Sequence, residues 1–166
     1  RCMRQARTQA TDAFETATAW EGRGGGLQAR HCAAVALMTL GQPAEAAIRL
    51  ERLATTAQGD AARVRVELLS QSAQAWLAAR MPERAHAVLS QAVRIAPDDA
   101  DLWIDRSIVL ATAKNYWEAI DDLKLPHMQK ADKRFAHKEW SENALFEYMK
   151  QSYLLTSGWI QDSVNS

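Results

Sequence analysis

The residues that could do chemistry are few, and their spacing argues against most of it. Histidines stand at His31, His86, His127 and His137, none at metal-ligand spacing with a cysteine or second histidine, so no metal or other cofactor is expected. Asp98-Asp99 and Asp121-Asp122 set carboxylates side by side, the raw material of general acid–base work. The first pair follows Pro97 and is expected to open a helix, where the dipole favours negative charge. Gly24-Gly25-Gly26 could suggest a phosphate loop. No strand pattern precedes it and no Gly-Lys-Ser/Thr follows, so a break between helices is expected. Two cysteines, Cys2 and Cys32, are too few for a disulfide scaffold. One reading bridges them, if the first helix packs beside the third; a loop of that size would gain roughly 3 kcal/mol and imply an oxidising compartment such as a periplasm. The other makes them small buried thiols. No catalytic constellation emerges, and the chain reads as non-enzymatic.

The elements that must carry these residues are helices. Val66 to Asp99 reads as helix, short turn, helix and a Pro-Asp-Asp stop, with small residues (Ala73, Ala85, Ala92) where two helices cross and Leu69, Trp76, Leu89 and Ile95 between them. One such hairpin cannot bury its own apolar face, so neighbours should repeat it. A shift of 34 residues places Trp103 on Leu69, Ser107 on Ala73, Leu110 on Trp76, Ala119 on Ala85 and Leu123 on Leu89. A shift of 39 in the other direction places Ala34, Leu37, Ala46, Leu50 and Leu53 in the same roles. Pro43, Pro82 and Tyr116 share one position just after the turn, where proline's missing N–H costs nothing.

This pattern resembles the tetratricopeptide repeat, over 27–60, 66–99 and 100–123. The resemblance implies an all-α solenoid of stacked antiparallel hairpins. Residues 1–26 read as a degenerate preceding helix pair, with Ala13, Ala17 and Trp20 at helical spacing. In such arrays the first helix of each hairpin lines a concave face. Here that face would hold Gln28, His31, Val35, Met38 and Thr39; then Glu67, Ser70, Gln74, Leu77 and Ala78; then Asp101, Ile104, Ile108, Ala111 and Thr112. The expected binding groove therefore centres on Val35, Met38, Gln74, Leu77, Ile104, Ile108 and Ala111. The basic clamp by which some relatives hold a terminal carboxylate is missing, which favours an apolar helix or extended peptide as ligand. The alternative is that these side chains pack under the chain's own tail helix or against a second copy, giving a homodimer.

Formal net charge is zero over 166 residues, and 48% of them are apolar. No global field favours nucleic acid. No apolar run approaches the roughly 18 residues a membrane span needs. The chain opens on Arg1, so it is expected to be trimmed, processed or a designed piece, and missing targeting signals carry no weight.

Beyond Leu123 the text changes. Residues 1–123 hold thirteen Arg, one Lys and 28 Ala; residues 124–166 hold one Arg, five Lys and three Ala, with half of the aromatics. Pro126 would break the helix that the repeat register continues there, so a junction is expected at 124–131. Asp132-Lys133-Arg134-Phe135, Trp140, Glu142-Asn143, Phe146, Lys150-Gln151, Tyr153-Leu154-Leu155 and Trp159 follow in order. This segment resembles the N-terminal region of polyhydroxyalkanoate synthases, bacterial enzymes that polymerise hydroxyacyl thioesters into storage polyester; Ala144 departs from the family's usual proline. The resemblance does not carry the enzyme. The family's nucleophilic cysteine sits in a Gly-x-Cys-x-Gly elbow, and these 166 residues contain none. The simultaneous change of repeat register and composition favours a fusion of two sources. It points to a bacterial protein, cytoplasmic or, with a bridged Cys2–Cys32, periplasmic. Phe146, Met149, Tyr153 and Ile160 form an apolar stripe that should pack on something, whether the end of the array, its groove or a partner.

Overall fold

The computed structural model describes residues 2–57 and 62–123, and the chain divides into two compact units, residues 1–88 and 89–166. Among the described residues there are eight helices and no strand: α1 (Cys2–Thr8), α2 (Ala10–Glu21), α3 (Gly26–Thr39), α4 (Pro43–Thr56), α5 (Ala62–Ala78), α6 (Pro82–Ile95), α7 (Ala100–Thr112) and α8 (Tyr116–Leu123). The protein is all-α over this range, and no described helix is long and apolar enough to cross a membrane.

One turn recurs. The backbone N–H groups of Gly41 and Gln42 donate to the carbonyls of Met38 and Leu37. Arg80 and Met81 do the same to Leu77 and Trp76, and Lys114 and Asn115 to Ala111 and Leu110. Gly24 and Gly25, donating to Glu21 and Trp20, repeat it after α2. Each turn satisfies two orphan carbonyls at a helix end and passes through one left-handed residue: Gly24 at φ 87°, Gly41 at 72°, Arg80 at 59° and Lys114 at 66°. Only glycine adopts that region without a Cβ penalty, so Arg80 and Lys114 carry some strain. Two residues on, the next helix begins, and in α4 and α6 it begins with proline. The carbonyls of Leu37, Trp76 and Leu110 thus accept the same turn bond at the ends of their helices, and the glycine run is an interhelical break.

In residues 1–88, α4 packs on both α3 and α5. Ala46, Ala47, Leu50, Leu53 and Ala54 of α4 are buried, as are Leu68, Leu69, Ala73, Ala75 and Trp76 of α5. Two polar bonds pin that crossing: Ser72 Oγ donates to the Ala47 carbonyl at 3.0 Å, and Trp76 Nε1 donates to the Glu51 carboxylate. The indole thereby buries its ring without leaving its N–H unpaired. In residues 89–123, α7 opens with Asp99 as its cap, the side chain accepting from the Asp101 N–H at 3.1 Å. Helix α8 folds back on it around Leu110, Ala111, Ala119, Ile120 and Leu123.

Candidate functional site

The residues expected to line a groove fall in both units. Among residues 1–88, Val35 and Met38 are half-buried on α3, Leu77 is half-buried on α5, and Gln74 is exposed there. Helices α3 and α5 come within hydrogen-bond reach: His31 Nε2 donates to Gln71 Oε1 at 2.6 Å, and Gln71 Nε2 donates to Glu67 at 2.7 Å. Because the amide oxygen can only accept, His31 carries a proton on Nε2 when it makes this bond. The chain His31–Gln71–Glu67 gives that face a polar bridge beside Val35 and Met38.

Among residues 89–123, Ile104 and Ile108 are half-buried on α7, whereas Ala111 is 1% exposed and packs inside the α7–α8 core. Ala111 therefore offers no surface to a ligand. Its small side chain is buried in one cluster with Ala119, Ile120 and Leu123 of α8, a placement that depends on α8 and not on the period of α7. Phe146, Met149, Tyr153 and Ile160 lie outside the described residues, as do His127, His137 and the junction at 124–131.

Several functional-looking contacts were not legible as pairs. Asp122 is buried and receives two bonds from Arg106, one from Nε at 2.8 Å and one from a terminal nitrogen. The same guanidinium lies 4.5 Å from the centroid of Trp103. Sixteen residues separate the partners, so no helical spacing announces them. The arrangement is a fully occupied structural ion pair. Beside it on the same helix, Asp105 is half-buried; burial first, then Asp101 and Asp99, push its carboxyl up to about 6. A raised carboxyl in a cleft can be a proton donor. Among the described residues no group of three or more His, Cys, Asp or Glu is suited to hold a metal.

Two cavities open on residues 1–88. The smaller, about 280 Å³, is lined by Glu21, Arg30, Arg49, Arg52, Leu53 and Thr56. Arg30 is bonded to Glu21 and Arg49 to Glu45, and the cavity sits at the C-terminal ends of α2 and α4. Those two termini contribute roughly half a negative charge each. Glu21 and Glu45 pair two of the three guanidinium groups, and helix C-terminal ends disfavour an anion beside them. The larger, about 630 Å³, is a groove lined by Cys2, Met3, Gln5, Thr16, Trp20, Gln28 and Cys32. Cys2 and Cys32 are joined there by a disulfide, with 6.1 Å between their Cα atoms. Gly25 shapes the groove's edge, because a Cβ at that position would stand 2.7 Å from the Trp20 ring.

Comparison with known proteins touches the tail. Residues 131–166 match the family model of the poly-beta-hydroxybutyrate polymerase (PhaC) N-terminus. Over 35 residues the chain is 51% identical to a poly(3-hydroxyalkanoate) polymerase of Methylorubrum extorquens. That stretch is 21% of this chain and 6% of the relative, so the likeness concerns one segment of each. No solved structure matches the chain.

Proposed function

We propose that this chain is a non-enzymatic helical adaptor that carries a polymerase-like segment and acts in storage-polyester assembly through it. The observation that carries the reading is the 51% identity between the tail and a poly(3-hydroxyalkanoate) polymerase. A segment of that likeness can occupy the surface that the polymerase's own N-terminal region occupies. Residues 27–123 would be a tetratricopeptide array serving as its platform; the recurrent turns at Gly41, Arg80 and Lys114 support that reading. A non-catalytic role for these residues is supported by the bonding of both cysteines to each other, which leaves neither free as a nucleophile. The test is co-elution of the purified chain with a purified poly(3-hydroxyalkanoate) polymerase on size exclusion. Co-elution that weakens in the Trp140→Ala/Phe146→Ala variant is the expected result. No complex, or a complex indifferent to that variant, would contradict the reading.

A second reading is favoured by the half-buried Val35, Met38 and Leu77 beside the His31–Gln71–Glu67 bridge. Such a face suits an apolar helix, and the sequence of the tail places Phe146, Met149, Tyr153 and Ile160 at helical spacing. The tail would then be an intramolecular ligand. Met38→Glu should accordingly raise polymerase binding by freeing the segment. If binding is unchanged, this second reading fails while the first stands.

A further inference from the structure

Helix α1 has little to hold it besides one covalent bond. Of its seven residues, Ala6 alone is fully buried; Met3, Arg4, Arg7 and Thr8 are exposed. A helix this short is not stable by itself in water. It nevertheless packs against both α2 and α3, on a bed of Ala13, Ala17, Ala33 and Ala36. The alanines are small enough to let a helix come close and offer little apolar area to retain it; half-buried Phe14 and Val35 pack against the same cluster. The disulfide from Cys2, at the start of α1, to Cys32, within α3, supplies the missing constraint. Cys32 is 1% exposed, but Cys2 is half-buried, and the 630 Å³ groove reaches both.

We infer that the Cys2–Cys32 disulfide is a thiol-operated latch: a dithiol reductant entering the groove opens it, releases α1 and uncovers the alanine seam between α2 and α3. In the exchange, one thiolate of the reductant attacks Cys2 Sγ, the S–S bond breaks, and Cys32 leaves as a thiolate that takes up a proton. The reductant's second thiol then displaces Cys2 from the mixed disulfide. Two electrons and two protons pass to the protein, and the reductant closes into its own disulfide. The more accessible sulfur, that of Cys2, is the one attacked.

Hydrogen exchange on the full chain, before and after dithiothreitol, tests this, with alkylation counting thiols in each sample. On appearance of two thiols, amides 6–8 should lose at least about tenfold in protection while those of α4 and α5 keep theirs, as for a local opening. Cys2→Ser should reproduce the loss without reductant. Unchanged protection of α1 in the reduced protein would overturn the latch. So would a loss spreading through α4 and α5, which would make the bond a global brace, and so would two free thiols before reduction.

Discussion

The seam that seats α1 and the cluster that joins α7 to α8 solve one problem by opposite means. Each must fix a short helix, of seven and eight residues, onto its neighbours. The α1 seam is built of Ala6, Ala13, Ala17, Ala33 and Ala36, and the covalent bond to Cys32 makes up for what alanines cannot supply. The α7–α8 cluster uses Leu110, Ile120 and Leu123, whose burial is worth about 1.5–3 kcal/mol each. There the covalent staple has no counterpart; instead Asp122 and Arg106 form a bond that a well-packed apolar pair could replace at little cost. Small side chains permit close approach but leave the joint open to chemistry. Large ones make it self-sufficient.

Ile120→Ala should have the largest effect, lowering the stability of the α7–α8 hairpin by about 4 kcal/mol, as truncation of fully buried aliphatic residues does. Denaturant titration with hydrogen exchange of 100–123 would show it, and a loss under about 1 kcal/mol would mean that α8 is held by something other than its core. Cys2→Ser/Cys32→Ser should cost the α1 joint about 3 kcal/mol in opening free energy, the entropic value of closing that loop. Asp122→Asn should cost about 2 kcal/mol, since Arg106 keeps partial access to water and is not wholly stranded. A neutral result there would place the joint's strength entirely in its apolar side chains.

The smallest effect is a pH slope. Because the carboxyl of Asp105 is raised from 3.8 to about 6, the native state holds its proton more tightly than the unfolded chain. Its contribution is fully present below pH 3.8 and is lost as pH rises through about 6. Melting temperature should therefore fall over that window, and Asp105→Asn should flatten this part of the profile, gaining on the native protein at pH 7 but not at pH 3.8. An identical profile in the variant would show that burial of Asp105 is not felt by folding.

Much of the helical scaffold was legible because its signals are local. Pro43 and Pro82 mark helix starts by a geometry they impose on themselves, and Gly41 marks a left-handed turn that only glycine enters freely. Arg80 and Lys114 adopt the same turn without the residue that would announce it, so the period of Leu37, Trp76 and Leu110 is the better guide there. The expected groove was less legible. Helical period places Ile104, Ile108 and Ala111 on one stripe, yet Ala111 is buried because of what α8 does on the other side.

Reading along the chain was enough to place helices and turns and to single out a tail whose residues 131–166 match a polymerase N-terminal family model. These follow from backbone restrictions and from the order of side chains over a few dozen residues. The meetings of Cys2 with Cys32, Trp76 with Glu51 and Arg106 with Asp122, and the partial burial of Asp105, are settled by how the helices pack. The physical reason is that each depends on which faces of separate helices come together. That choice is made by the sum of many weak packing energies across the fold, and no short stretch of chain contains it.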